Sequence, residues 1–398
     1  KGAAGIDGQS LSAFEANLEV ELSCLLLELK EKRYQAQPVR RVAIAKDDGG
    51  ERLLGIPTVR DRVVQQALRR IIEPIFEPDF HPSSYGYRPR RSGHHAIGKA
   101  ELFIRRYRRD WVVDMDLSKC FDTLNHDLII RQFRQRITDG SVLSLLRQFL
   151  ESGVMVGYHL EETELGSPQG GVISPLIANV YLDAFDQFMK ARGHRIVRYA
   201  DDILILCGSR AGAENALRVA RRYLENELKL TVNTTKTHIA HSDEGVKFLG
   251  VVIHSKYTRI QGKKVVRLKQ KLKSLTKRNR GIGLAAIIRE LNPVLRGFVS
   301  YFRVANCARV LKQVMSWLRR RLRCIQLKQW KKPGRLHRRL KQLGYQPPFR
   351  HIKMQSWRNA ASPLASLALP NTYLHNDLQL MDLAKVKTGI TVPEFGVS

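Results

Sequence analysis

Cysteine is scarce and scattered. The five in 398 residues stand at Cys24, Cys120, Cys207, Cys307 and Cys324, odd in number and without C-x-x-C spacing. That pattern excludes a disulfide framework and a cysteine zinc site, and fits reduced core residues in the cytoplasm. No apolar run approaches the roughly 20 residues that cross a bilayer, so no membrane partner is expected. No internal repeat is present. The chain opens on Lys-Gly-Ala-Ala-Gly-Ile-Asp-Gly without Met or signal peptide, so a segment upstream of it is expected. Acidic residues are almost missing from one long segment: between Lys256 and Arg350 there are 28 Lys/Arg and a single carboxylate, Glu290.

What is present follows from that imbalance. Net charge is +31, yet outside the segment 40 Lys/Arg face 36 Asp/Glu, close to balance. A concentrated basic region with no membrane-spanning run points to a polyanionic partner, and nucleic acid is the best candidate.

Up to about residue 255 strands alternate with helices, the mark of an α+β domain. Apolar residues recur at helical spacing from Ser12 to Tyr34. Val39–Ala45 and the stretch after it form a hairpin that places Lys46 and Arg52 near its tip and second strand. Two cations there suit a triphosphate clamp or ordinary surface charge. Thr58 caps a long helix that Pro74 and Pro78 are expected to end. Ser84-Tyr-Gly-Tyr-Arg-Pro mixes rings, glycine and arginine in a manner that suits single-stranded nucleic acid. A helix over Leu176–Met189 starts at Pro175, and another covers Ala213–Lys229. From Val265 the pattern is almost wholly helical, with Val310, Leu311, Val314, Trp317 and Leu318 making one apolar face. The last 40 residues give no clear assignment.

The chemistry concentrates between Arg195 and Cys207. Two apolar runs flank Asp201 and Asp202, which reads as a buried hairpin with two adjacent carboxylates at its turn. Like charges repel there, and a divalent cation would remove the conflict, since hard oxygens are what Mg²⁺ prefers. Trp111–Leu117 reads as a strand with Asp114 and Asp116 on one face, and only one of the two need bind metal. Gly170 and Gly171 permit close backbone approach to a ligand.

Six motifs in order carry a resemblance: Gly55-Ile-Pro-Thr-Val-Arg-Asp-Arg, Ser84-Tyr-Gly-Tyr-Arg-Pro, Asp116-Leu-Ser-Lys-Cys-Phe-Asp122, Ser167-Pro-Gln-Gly-Gly-Val-Ile-Ser-Pro-Leu, Tyr199-Ala-Asp-Asp and Phe248-Leu-Gly. The chain resembles the group II intron reverse transcriptase/maturase family over nearly its whole length, in the compact, endonuclease-lacking, group IIC-like form. The resemblance implies a right-hand polymerase with an antiparallel palm sheet and an all-α thumb. Fingers are then expected over 1–110, palm over 111–255, thumb/maturase domain over 256–350 and a C-terminal tail over 351–398.

It also implies roles. Asp116, Asp201 and Asp202, with the Leu117 carbonyl, would hold two Mg²⁺ ions roughly 3.5–4 Å apart. Phe121 would stand against the sugar 2′ position. Lys46, Arg52, Gln169 and Lys236 would contact the dNTP. Asp114, Asp122 and His126 are taken as supporting residues. Nucleic-acid contacts are expected at Arg88, Gly250, Arg296, Arg319, Arg320 and Arg323. The implied partners are intron RNA, an RNA template with a DNA primer, target DNA and dNTPs, in a bacterial, nucleoid-associated ribonucleoprotein. Two alternatives stay open: a free-standing relative in DNA repair or phage defence, and an RNA-binding splicing cofactor without polymerase activity.

Overall fold

A computed structural model describes residues 2–45, 50–156, 159–161, 165–166 and 170–390, with Arg52 and Leu160 described by backbone alone. The chain divides after Val246 into two compact units.

The first unit begins with α1 (Leu11–Ala16) and α2 (Leu18–Lys30), where a single helix was expected. Asn17 stands between them at φ −120° and ψ 29°, outside helical values. Asparagine competes with the helix for backbone hydrogen bonds, which makes it a natural break. Next come β1 (Val39–Ala45) and β2 (Glu51–Ile56), antiparallel with Ile44 opposite Arg52. Thr58 caps α3 (Val59–Phe76), its hydroxyl accepting from the Asp61 N–H at 3.1 Å. Pro74 does not end this helix. It removes a bond only in the last turn, and the helix runs on to bury Phe76 edge-on against Phe133 at 5.1 Å.

The elements α4 (Gly93–Arg105), β3 (Trp111–Met115), α5 (His126–Arg134), α6 (Gly140–Glu151), β4 (Val154–Val156) and β5 (His159–Glu161) follow. After them lie α7 (Ser174–Ala191), β6 (Arg195–Tyr199), β7 (Asp202–Cys207), α8 (Arg210–Asn226) and β8 (His238–His241). One four-stranded sheet has the order β2-β1-β4-β5, with β4 parallel to β1. The other, β6-β7-β3-β8, is antiparallel throughout. Its inner strand β7 is buried from Ile203 to Cys207 without alternation, as a strand covered on both faces must be. Helices α4, α7 and α8 pack on this sheet. The core beneath it gathers Val113, Met115, Phe133, Tyr181, Phe185, Ile203 and Ile205.

The second unit has a three-stranded sheet in the order β11-β10-β9, formed by β9 (Val246–Phe248), β10 (Val251–Ile253) and β11 (Thr258–Ile260). Helices follow: α9 (Gly262–Leu275), α10 (Leu284–Phe302), α11 (Ala308–Trp330), α12 (Pro333–Gln342) and α13 (Pro363–Ala368). Leu311, Val314, Leu318, Leu322 and Ile325 are the buried stripe of α11. Residues after 350, which include most of the stretch left without a clear assignment from sequence, supply core. Ile352, Met354, Ala360, Ala365, Ala368 and Leu369 pack with Cys324, Leu327, Leu336 and Leu340. Among the described residues no helix is long and apolar enough to cross a membrane.

Candidate active site

Register brings the carboxylates together. Met115 of β3 pairs with Ile203 of β7, so Asp116, one residue further, comes alongside Asp202. The β6–β7 hairpin closes on the pair Tyr199–Asp202, leaving Ala200 and Asp201 as its two turn residues. Ala200 has φ +58°, a left-handed value that alanine keeps only where its surroundings impose it. They do. Gly86 lies so close beneath that a Cβ there would stand 2.3 Å from the Ala200 nitrogen.

Asp116 is held from the turn that precedes β8. Its N–H donates to Thr237 Oγ1 at 3.1 Å, and its Oδ2 accepts from Asn233 Nδ2 at 3.0 Å. Lys236 Nζ stands 3.6 Å from the same oxygen. Asp116 opens onto a cleft of about 970 Å³ whose lining includes Leu117, Phe121, Gly170, Asp201 and Lys236. Gly170, at φ +118°, is wedged against β2: a Cβ would meet the Gly55 carbonyl oxygen at 2.4 Å. The Val172 N–H donates to Gln65 Oε1 at 2.7 Å, pinning the residues that follow the double glycine.

Confinement, then the negative charges of Asp201, Asp114 and Asp116, push Asp202 up to about 7, with Lys236 pulling it back. Asp202 keeps an exposed surface, so the crowd of like charges is the firmer of the two causes. Burial, then Asp201, pushes the Cys120 thiol up to about 12, which keeps it in the neutral thiol form. Among the described residues no three His, Cys, Asp or Glu side chains form a closed metal cluster. Three aspartates, Asp116, Asp122 and Asp201, line this one cleft together with Leu117. Such an open set of hard oxygens suits a divalent cation that takes its other ligands from water and phosphate.

Of the residues expected from sequence, Asp116, Leu117, Phe121, Asp201 and Lys236 share the cleft. Lys46 and Gln169 lie outside the described residues, and Arg52 sits on β2, whose Glu51, Leu53 and Leu54 also line the cleft. His126 is buried, with Nε2 2.7 Å from the Gly166 carbonyl oxygen.

Arg88 is a correction. It is buried and donates to the Glu77 carboxylate and to the carbonyls of Glu77, His81 and Ser84, so its guanidinium faces protein and not nucleic acid. Arg319, Arg320 and Arg323 are also engaged within their own unit. They bond His375, the Trp357 carbonyl, and the Leu369 carbonyl with Asn371 Oδ1, respectively. Gly250 has φ +84° with its Cα facing the Phe302 ring, and Arg296 is exposed on α10. Sequence reasoning missed Asn233, Thr237 and Gln65. Only the placing of Asn233 in the polar run Asn-Thr-Thr-Lys, between a helix and a strand, could have flagged it.

Carboxylates gathered at one end of an antiparallel sheet, above a nucleotide-sized cleft, define the palm of a right-hand polymerase. Residues 44–253 match the family model of reverse transcriptase (RNA-dependent DNA polymerase), and residues 265–344 match the maturase-specific domain of group II introns. Protein YkfC of Escherichia coli (strain K12) is 40% identical over 300 residues, 66% of this chain and 78% of that protein. The group II intron-encoded protein LtrA of Lactococcus lactis subsp. cremoris is 30% identical over 297 residues, 58% of this chain and 49% of LtrA. The chain thus spans about half the length of LtrA. A telomerase of Candida albicans bound to a telomeric RNA fragment superposes with TM-score 0.46 at 13% identity, covering 80% of this chain and 65% of that one. The chain belongs to the reverse transcriptases, and within them to the group II intron reverse transcriptase/maturase family.

Proposed function

We propose that this chain copies RNA into DNA and binds intron RNA to assist splicing and retrohoming. The observation that carries the reading is the β3–β7 register, which sets Asp116 beside the hairpin turn bearing Asp201 on one cleft. Asp116, Asp201 and Asp202, with the Leu117 carbonyl, would hold two Mg²⁺ ions, whose charge would favour the primer 3′-alkoxide and the leaving pyrophosphate. Asn233 orients the Asp116 carboxylate, and Lys236 offers a cation to a phosphate beside it. Phe121 narrows the cleft where the nucleotide sugar would lie. Fingers, palm and thumb correspond to 1–110, 111–255 and 256–350, with dNTPs, a primed RNA template and target DNA as further partners. We place it in a bacterial nucleoid-associated ribonucleoprotein.

Primer extension on poly(rA)/oligo(dT) tests this. Asp201→Asn should abolish extension and leave RNA binding within a few-fold. Extension at the normal rate would sink the assignment, and loss of RNA binding together with activity would move Asp201 to a binding role.

A further inference from the structure

A fully buried ion pair lies under the turn that carries Asp201, and the chemistry does not use it. Arg198 and Asp186 are both 0% exposed, with Arg198 Nε at 2.8 Å and Nη2 at 2.6 Å from Asp186 Oδ2. The remaining arm, Nη1, donates to two oxygens at 3.1 Å: Asn179 Oδ1 and the carbonyl of Ala200 in the turn. Asn179 in turn donates from Nδ2 to the Gly86 carbonyl at 2.8 Å. The Arg198 backbone pairs with the same loop, its N–H on the Ser83 carbonyl and its carbonyl accepting from Tyr85 N–H, both at 2.9 Å.

One arginine therefore joins three parts: helix α7 through Asp186 and Asn179, the turn through Ala200, and the Ser83–Gly86 loop through its own backbone. A buried pair of this kind is a poor device for stability, because an apolar pair of similar volume often does as well. What it supplies is direction. A planar fork locked on a carboxylate leaves its last donor aimed at one point. That point is the carbonyl of a residue held at positive φ, immediately before the carboxylate.

We propose that Arg198, locked by Asp186, is a positioning residue that fixes the Asp201 turn at the height where Asp201 meets Asp116. Gly86 packs against the Ala200 nitrogen while Arg198 holds the Ala200 carbonyl, so the loop and the arginine fix the same residue at both of its backbone ends. The inference rests on the reading of Asp116 and Asp201 as metal carboxylates, and it deepens that reading.

Arg198→Lys keeps the charge against Asp186 and loses the fork, and Asn179→Ser removes one anchor of the fork together with the tie to Gly86. Each is measured at a temperature where circular dichroism shows it folded. Single-nucleotide addition should lose 10- to 100-fold in kcat for Arg198→Lys, and less for Asn179→Ser, with KM for dNTP moving under threefold. Mn²⁺ binding, read from the free-ion EPR signal with a dideoxy-ended primer, RNA template and dNTP, should weaken at least fivefold. A residue that only stabilises the fold would lower the melting temperature and leave both readouts alone. Folded variants with wild-type kcat and Mn²⁺ affinity would overturn the proposal. If Arg198→Lys fails to fold, Asn179→Ser decides by the same criteria. Asp201→Asn run beside them separates the two readings: wild-type Mn²⁺ binding and extension there would remove the metal site itself, and not merely its positioning.

Discussion

Asn233 is tied twice to Asp116, by its side-chain Nδ2 to Oδ2 at 3.0 Å and by its backbone N–H to the Asp116 carbonyl at 2.8 Å. Its own Oδ1 accepts from the N–H groups of Thr235 and Lys236, which fixes the amide and its direction. One carboxylate oxygen of Asp116 is thereby held while the group stays on the cleft. Asn233→Ala should let it rotate. A hydrogen bond to a charged group is worth about 1.5–3 kcal/mol, and partial exposure places this one at the lower end. Single-turnover extension should slow about tenfold with RNA affinity unchanged. Lower affinity at an unchanged rate would mean that Asn233 serves binding instead.

Phe121 is half-buried and forms part of the cleft wall near Asp116. Phe121→Val opens space where a 2′-hydroxyl would sit. The ratio of kcat/KM for rNTP to that for dNTP should rise by at least tenfold, mostly through better use of rNTP. An unmoved ratio would place the discrimination on another residue.

The strand and hairpin that carry the carboxylates were legible because bare carboxylates set between apolar runs are costly unless they hold a cation. Their supports were not, since the partners stand far apart in sequence: Asn233 meets Asp116 across 117 residues and Gln65 meets Val172 across 107. Arg88 misled for a related reason. An arginine among aromatics looks alike whether it faces phosphate or a buried carboxylate, and only Glu77, 11 residues upstream, decides. The end of the chain was opaque because its elements are short, with α13 only six residues long and the rest single turns, so no apolar period can build up. It packs against α11 and α12 and has no periodicity of its own. There the guanidinium of Arg278 lies 4.8 Å, and that of Arg321 4.7 Å, from the Trp357 ring centre.

The loop that braces the hairpin carries its own pH sensitivity. Burial, then the charges of Lys190, Arg198, Arg88 and Arg91, brings His81 down to about 4. Its Nδ1 accepts from the Ser83 N–H at 3.0 Å, which requires that nitrogen to be unprotonated. The unfolded chain, with an ordinary histidine near 6.5, binds the extra proton first. Stability should therefore fall as pH drops from about 6.5 toward 4, by roughly 2 kcal/mol at pH 5 and roughly 3 kcal/mol in all. Urea midpoints of the wild type and His81→Gln at pH 7 and pH 5 check this: the loss on acidification should be smaller in the variant. Equal losses would assign the acid sensitivity to carboxylates.

The basic second unit separates cations that hold the fold from cations left for RNA. On α11, Arg319, Arg320 and Arg323 reach across to residues 357–375, so they are structural ties. On α9 the buried side is Leu268 and Leu272, and Lys269, Lys271 and Lys273 are exposed around it. Each cation withdrawn from a phosphate should reduce the slope of log K against log salt by about 0.9 on duplex and about 0.7 on single strands. Replacing those three lysines by Gln should therefore flatten the slope by about 2–3 between 50 and 200 mM salt and leave the far-UV melt in place. The three arginines replaced by Gln should do the opposite, lowering the melting temperature by several degrees with the slope nearly intact. The difference has a physical source: an arginine bonded to a carbonyl must give up that bond to reach a phosphate, whereas an exposed lysine gives up only water. A flattened slope with an unchanged melt in the arginine variant would return those side chains to the RNA surface.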